Sequence, residues 1–104
     1  MTSTDQILRA LADGTRREIV HLVAAREHSA GEIAARFPMT RQAVSQHLGI
    51  LLSSGLVSVQ EAGTRRLYRA DPAAAQHVRD VFERLWDESL IRLKIAAETA
   101  EENP

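Results

Sequence analysis

The stretch that decides the fold runs from Thr40 to Arg69 and is TRQAVSQHLGILLSSGLVSVQEAGTRRLYR. Its first part predicts a helix, because Val44, Leu48 and Leu51 recur at i, i+4 and i+7 and therefore share one apolar face. Thr40 suits the N-cap of this helix, since its hydroxyl can accept a hydrogen bond from a backbone N–H one turn further on. We expect a helix over 40–51, then a short break and a β-hairpin.

The other side of this helix carries polar residues that suit the edges of DNA bases. The residues that lie mostly off the apolar face are Arg41, Gln42, Ser45 and Gln46. Glutamine pairs with adenine, arginine with guanine and serine with several acceptors, and a major groove is wide enough to admit a helix. A merely solvated polar face is the alternative, and the neighbouring segments favour DNA.

The segment before this helix predicts the other half of a helix-turn-helix. Ser29 and Glu32 have the spacing of a capping box, which opens a short helix. Pro38 ends that helix and leaves a tight connection to Thr40. Two short helices joined by a turn form the helix-turn-helix motif.

The segment after the helix predicts a hairpin with a basic tip. Residues 56–60 and 65–69 alternate as strands do, and the turn is expected over 61–64, with Gly63 at a position that often needs positive φ. Arg65 and Arg66 follow the tip directly. This placement suits contact with phosphates or a minor groove, whereas the alternative is a solvated hairpin.

Length and composition limit the class of protein. With 104 residues, 44% hydrophobic and 26% charged, the chain is expected to form a single soluble domain over 1–104. It contains no apolar run near the ~20 residues that span a bilayer, and MTSTDQ lacks the features of a signal peptide, so we expect a cytoplasmic protein without membrane contact. Cysteine is absent and the four histidines are dispersed, so we expect no metal and no cofactor, although a non-cysteine site across a dimer stays open.

The charge is unevenly distributed along the chain. Residues 1–70 carry nine arginines and six acidic residues, whereas residues 71–104 carry four basic and eight acidic residues. The net charge of −1 therefore conceals a basic first part and an acidic last part. This asymmetry fits a DNA-binding face joined to a segment that faces away from DNA.

A second helix is predicted from Gly14 to about Ala25, with Asp13 as its N-cap. Arg16 and Arg17 fall in its first turn, where the helix dipole disfavours cations. Contact with a phosphate or with a buried acidic partner would each explain them.

The first and last helices are predicted to form a dimer. A short helix over about 5–12 and a long one over about 72–100 each carry an apolar stripe. The long stripe could fold back onto its own domain, but pairing with a second copy buries more apolar surface. The predicted interface residues are Ile7, Leu8, Leu11, Phe82, Leu85, Trp86, Leu90 and Leu93.

Four motifs in order resemble a known family. They are LADGTRREIV, SAGEIA, QAVSQHLGIL with SGLV, and GTRRLYR, and over residues 6–95 the chain resembles the ArsR-type winged-helix repressors of bacteria and archaea. The resemblance implies a mainly α fold of about five helices with a two-stranded β wing. It also implies a homodimer, formed through the first and last helices, that binds a short inverted repeat in a promoter, usually as a repressor.

The resemblance also assigns roles to single residues. It places base contacts on Arg41, Gln42, Ser45 and Gln46. It places contacts with the DNA backbone on the wing arginines, to which we add the N-cap of the helix and the two first-turn arginines; these residues are Thr40, Arg65, Arg66, Arg16 and Arg17. His47 borders the core and is expected to pack or to form a buried hydrogen bond rather than to contact a base. Tyr68 is expected to pack in its strand rather than to contact a phosphate.

The chain departs from the family in its metal-sensing residues and at Gly14. Many relatives sense metals through a cysteine motif in the helix that here spans 29–36, and this chain has no cysteine. The acidic and histidine spacing around His77 does not match the metal site that other relatives carry in the last helix. Gly14 stands where relatives often have proline, which should loosen that helix start.

These observations predict a sequence-specific transcriptional regulator that does not respond to metals through cysteine. One alternative is a winged-helix dimer that binds a protein partner through the same helix face. Another is a repressor that senses an unknown small-molecule effector in an apolar pocket at the dimer interface, around Phe82, Leu85, Trp86 and Leu90. An enzyme is not expected, because no nucleophile, base and acid share a motif and no glycine-rich phosphate loop is present.

Overall fold

The computed structural model describes residues 3–102, and the side chains of residues 4–101. The predicted domain 1–104 therefore extends two residues beyond the described part at each end. In chain order the elements are α1 (Ser3–Leu11), α2 (Gly14–Ala25), α3 (Ala30–Ala34), α4 (Arg41–Ser53), β1 (Val57–Ala62), β2 (Arg65–Ala70) and α5 (Pro72–Glu102). The mainly α fold with a two-stranded wing is confirmed. No helix within 3–102 is both long enough and apolar enough to cross a membrane.

The helices and the wing meet around one apolar core. Val44, Leu48 and Leu51 of α4 are buried, as their spacing predicted. The buried apolar residues of the core are Ile7, Ala10, Ile19, Val23, Ile33, Val44, Leu48, Leu51, Leu56, Val57, Tyr68 and Val81. Every element contributes at least one side chain, so α4 and the wing are held at a fixed relative position by packing.

A glycine makes the sharp exit from α4 toward the wing. Gly55 has φ of +80°, and Leu56 donates its backbone N–H to the carbonyl of Leu51 at 3.2 Å. Gly55 also donates to Leu52 at 3.1 Å, which completes a Schellman motif. The chain reverses here and places β1 directly after α4.

The wing has a shorter turn than the sequence predicted. β1 and β2 are antiparallel, and their register pairs Ala62 with Arg65 and Glu61 with Arg66. The turn is therefore Gly63 and Thr64 alone, and the expected turn over 61–64 was too long. Gly63 has φ of +64°, as predicted, which suits the tight hairpins that join two strands with two residues.

Helix α5 differs from the other elements along its length. Its first turns pack on the core through Ala74, Val78 and the buried Val81. Every residue from 82 to 101 is exposed, and the longest dimension of the chain is 64 Å against 28 and 26 Å for the others. Trp86 and Leu93 are each 66% exposed.

Helix α1 is packed more tightly within its own chain than expected. Ile7 is only 1% exposed, so its side chain is committed to the core of the single chain and cannot itself face a partner. Leu8 and Leu11 are half-buried at the edge of the core. Of the predicted α1 interface residues, these two keep accessible surface.

Candidate nucleic-acid interface

The N-terminal half of α4 exposes the polar face that the sequence predicted. Thr40 is the N-cap, and its hydroxyl accepts a hydrogen bond from the backbone N–H of Ala43 at 3.1 Å. The four side chains on the outer face of this half are all exposed: Arg41, Gln42, Ser45 and Gln46. The buried side of the same turns fixes the helix, so the outer side is presented on a rigid element.

The short helix α3 is held by the predicted capping box. The backbone N–H of Glu32 donates to the Ser29 hydroxyl at 3.1 Å, and the backbone N–H of Ser29 donates to Glu32 Oε1 at 3.0 Å. Because both orphan donors are satisfied, a helix of only five residues has a defined start. The predicted helix-turn-helix, α3 followed by α4, is confirmed, but α3 ends at Ala34, before Pro38, so the connection to α4 is longer than predicted.

The two arginines of the wing have different partners. Arg65 donates from Nη2 to Glu32 Oε1 at 2.5 Å, which joins the wing to α3. The guanidinium of Arg66 lies 5.9 Å from the centroid of the Tyr68 ring, within the range of a cation–π contact. Both side chains remain exposed, whereas Tyr68 is buried as predicted.

A cleft of about 580 Å³ separates the start of α4 from the wing. Arg41 and Ser45 line it from α4, and Arg65 and Arg66 line it from β2. The backbone of Gly31 lies beside Arg41, whose Cζ would be 4.0 Å from a Cβ at that position. Three guanidinium groups around one exposed cleft make a positive surface that suits an anion such as a phosphate.

Arg16 and Arg17 bond to the C-terminus of α1, which neither of the two sequence-based explanations included. Arg16 donates from Nη2 to the carbonyl of Arg9 and from Nε to that of Ala10, each at 2.7 Å, and Arg17 donates to the carbonyl of Leu11 at 2.6 Å. The last carbonyls of a helix lack partners within it and attract cations. The unfavourable position of the two cations at the start of the α2 dipole is therefore offset by their favourable interaction with the carbonyls at the end of α1.

Arg16 also reaches α4. Its Nη1 lies 3.4 Å from Nδ1 of His47, on the partly buried side of α4. His47 therefore makes a partly buried contact at hydrogen-bonding distance, and α1, α2 and α4 meet at this one guanidinium.

Nothing in the sequence pattern pointed to His28, which joins the wing to the end of α2. Its backbone pairs with Tyr68 in both directions, at 3.0 Å and 2.7 Å, as a single-residue antiparallel bridge. Its ring is 1% exposed, and Nδ1 donates to the carbonyl of Arg26 at 2.7 Å, while Nε2 has no hydrogen-bond partner among the described residues. A bridge of one residue has no periodicity, so sequence alone gave no signal for it.

Two carboxyl groups near this surface have lowered pKa values. The backbone N–H of Arg16 donates to Asp13, the N-cap of α2, and lowers the pKa of that carboxyl. The backbone N–H of Ser29 does the same for Glu32, with smaller contributions from the Ser29 hydroxyl and from Arg65 and Arg26. Both groups act as acceptors that fix the start of a helix. Within residues 3–102 no three histidine, aspartate or glutamate side chains lie together as a metal site would require.

Comparisons with known proteins agree with this geometry. A family model described as a helix-turn-helix domain matches residues 11–60. The transcriptional regulator Rv2034 of Mycobacterium tuberculosis is 44% identical over 88 residues, which cover 85% of this chain and 82% of the relative. An ArsR-like transcriptional regulator from Rhodococcus sp. RHA1 superposes with a TM-score of 0.77 at 32% identity, covering 100% of both chains.

A further solved structure is the homodimeric winged helix-turn-helix DNA-binding domain of Mb0332 from Mycobacterium bovis. It has a TM-score of 0.67 and 31% identity, and the match covers 85% of this chain and 82% of that one.

A helix-turn-helix with a hairpin beside its second helix defines the winged helix-turn-helix class of DNA-binding folds. Within that class, the chain belongs to the ArsR-type family of transcriptional regulators.

Proposed function

We propose that the chain is a homodimer that binds an inverted repeat in double-stranded DNA and represses the promoter that contains it. The observation that carries this proposal is the exposed polar face of α4 next to a cleft with three arginines. A dimer bound at the promoter would block RNA polymerase sterically, so repression would need no contact other than the one with DNA. A promoter–reporter fusion should therefore be derepressed when the chain is deleted, and lower reporter output after deletion would instead indicate an activator.

The dimer is proposed from the apolar surface that a single chain leaves open. Exposed apolar side chains follow one another along the second half of α5, and Leu8 and Leu11 of α1 are half-buried. The homodimeric structure from Mycobacterium bovis supports the same arrangement here. Two-fold symmetry would place the two α4 helices in major grooves about one helical turn apart, roughly 34 Å.

Base contacts are assigned to the outer face of α4 and backbone contacts to its start and to the wing. Gln42, Ser45 and Gln46, together with Arg41, would discriminate bases, because their side chains are exposed on a rigid helix. The proposed phosphate contacts are Thr40, Arg65 and Arg66. Arg16 and Arg17 position α1 against α2, and a phosphate contact from either remains a prediction.

The base-contact assignment is tested by Gln46→Ala. We expect specific affinity to fall by ~1 to 3 kcal/mol while binding to scrambled DNA hardly changes, because a bidentate pair with a base is lost. Fluorescence anisotropy with DNA from upstream of the chain's own gene measures both. Gln76→Ala makes the same change on α5, away from the polar face of α4, and should bind as the parent does. Equal losses on specific and scrambled DNA would contradict the assignment.

The salt dependence of binding tests the nature of the partner. If each dimer neutralises roughly six to eight phosphates, the slope of log affinity against log salt should be near −5 to −7. A flat response would instead favour a protein partner for the same helix face. No cysteine is present, so regulation through a cysteine-bound metal is not proposed, and no enzymatic reaction is assigned.

A further inference from the structure

One carboxylate joins the helix-turn-helix to the wing. Glu32 Oε1 accepts from the backbone N–H of Ser29 at 3.0 Å and from Arg65 Nη2 at 2.5 Å, and Glu32 Oε2 lies 3.8 Å from Arg26 Nη1. Glu32 belongs to α3, and Arg65 is the first residue of β2. The ion pair therefore spans two elements that are 33 residues apart in the sequence.

The cation in this pair belongs to the proposed phosphate surface. Arg65 lines the cleft between α4 and the wing together with Arg41 and Arg66. A guanidinium donates through a fixed set of N–H groups, so an Nη2 that donates to Glu32 is less available to a phosphate oxygen. Because the side chains of Arg65 and Glu32 are 58% and 36% exposed, the pair is weak in water and can exchange partners.

We propose that Glu32 sets the affinity of the chain for DNA by competing with a phosphate for Arg65, an inference that rests on the DNA-binding function proposed above. In the free chain, Glu32 holds Arg65 against α3. On DNA, Arg65 exchanges the carboxylate for a phosphate oxygen. Because the ion pair with Glu32 must first be broken, the affinity for DNA is lower than it would be if Arg65 had no carboxylate partner. The capping box is retained in both states, because its two hydrogen bonds with Ser29 do not involve Arg65.

The carboxylate is available as a competitor because its environment keeps it ionised. Hydrogen bonds from Ser29 and the charges of Arg65 and Arg26 lower the pKa of Glu32. Glu32 is therefore a carboxylate throughout the neutral range in which DNA binding is measured. It is a positioning residue, since it acts on DNA through Arg65.

The experiment is a double-mutant cycle with Glu32→Gln and Arg65→Ala. Glutamine also serves at this position of a capping box, so Glu32→Gln removes the charge and keeps the helix start. The probes are two fluorescein-labelled duplexes, one from upstream of the chain's own gene and one of scrambled sequence. We expect Glu32→Gln to bind both about two- to fivefold more tightly than the parent, and to have almost no effect when Arg65 is already alanine.

A general charge effect would give a different pattern. Glu61→Gln removes the same charge from the wing, at the position that pairs with Arg66 in the β ladder. If the gain from Glu32→Gln persists undiminished with Arg65→Ala, or if Glu61→Gln matches it without dependence on Arg65, competition for Arg65 is overturned.

A second variant distinguishes the effect of the ion pair with Arg65 from the effect of the negative charge on α3. Glu32→Asp keeps the negative charge on α3 but withdraws it from Arg65 by one methylene, so it should also tighten binding. Thermal melts establish that both variants are folded. A gain with Glu32→Gln and none with Glu32→Asp would contradict the proposal.

The cycle also distinguishes the failure of this inference from the failure of the function on which it rests. If Arg65→Ala weakens binding to both duplexes but Glu32→Gln changes nothing, only the competition is wrong. If Arg65→Ala binds both duplexes as the parent does, the phosphate contact of Arg65 is wrong and the inference falls with it.

Discussion

Two regions of the chain differ in how they treat apolar side chains. They are the winged core, residues 3–81, and the distal part of α5, residues 82–102. In the winged core each apolar face meets another element of the same chain, and side chains such as Ile19, Val44 and Leu51 are completely buried. In the distal part, Phe82, Trp86 and other large apolar side chains remain exposed. One chain therefore buries the apolar surface of its winged core by itself, whereas the distal helix leaves apolar surface open for the second molecule of the proposed dimer.

The distal helix is apolar on more than one side. Ile91 is nine residues after Phe82, which is two and a half turns, so the two lie on opposite sides of the helix. Ile95 follows one turn after Ile91, and both isoleucines are more than half exposed. The predicted stripe left both isoleucines out, and a partner that covered the stripe alone would leave them in water.

The largest effect is expected from Trp86→Glu, which tests whether the distal helix needs a partner. The exposed tryptophan contributes little to the fold of one chain, but a carboxylate at a buried interface should weaken the dimer by about 4 kcal/mol, or roughly a thousandfold. Sedimentation equilibrium over a range of concentrations measures this.

His77→Glu is the matched control for Trp86→Glu. It adds the same carboxylate nine residues earlier on the opposite side of α5, and it should leave the dimer intact. A Trp86→Glu chain that remains as dimeric as the parent would contradict the proposed interface.

Two adjacent residues of α4 test the division between buried and exposed surface in the winged core. Leu51 is 0% exposed and Ile50 is 43% exposed. Leu51→Ala should reduce the free energy of unfolding by about 3 kcal/mol, because it removes a buried side chain and leaves a cavity, whereas Ile50→Ala should cost less than about 1 kcal/mol. Urea denaturation at one chain concentration measures both. Equal costs would mean that Ile50 is buried in the assembly.

The smallest effect concerns the two helix starts in the winged core. The pKa values of Asp13 and Glu32 are lowered by hydrogen bonds from Arg16 and Ser29, so both carboxylates are favoured by folding. Their contribution to stability is complete above about pH 3.9 and 4.3, where free aspartate and glutamate titrate. It is lost as the pH falls through the lower values of the folded state.

Asp13→Asn combined with Glu32→Gln keeps both caps and removes both titrations. Between pH 5 and pH 3 we expect the melting temperature of this double variant to fall by a few degrees less than that of the parent. If the melting temperatures of the two proteins fall equally with pH, the acid sensitivity does not come from these two caps.

The elements that were predictable from the sequence are those with local signals. Ser29, Thr40 and Gly63 occupy a capping box, an N-cap and a hairpin turn, and each needs only its near neighbours in the chain. The last two residues of β1 were not predictable. Glu61 and Ala62 have low strand propensity, and they are extended because they pair with β2.

The contacts that link distant segments were not predictable. Arg16 bonds to α1 carbonyls and to His47, and Arg65 bonds to Glu32, and no spacing in the sequence encodes these pairs. The base contacts of Gln42, Ser45 and Gln46 are still predictions, since their exposed position fixes where they point but not what they bind.

The bridge between His28 and Tyr68 has a consequence for the dynamics of the wing. Its two backbone hydrogen bonds lie beside buried side chains, whereas the strand ends near Gly63 are exposed to water. Amide hydrogen exchange should therefore be slow at His28 and Tyr68 and fast at Thr64, so the wing opens from its tip while its base stays closed. The base of the wing is then held against the end of α2 in the free chain, so DNA binding does not have to offset an entropy loss from ordering it.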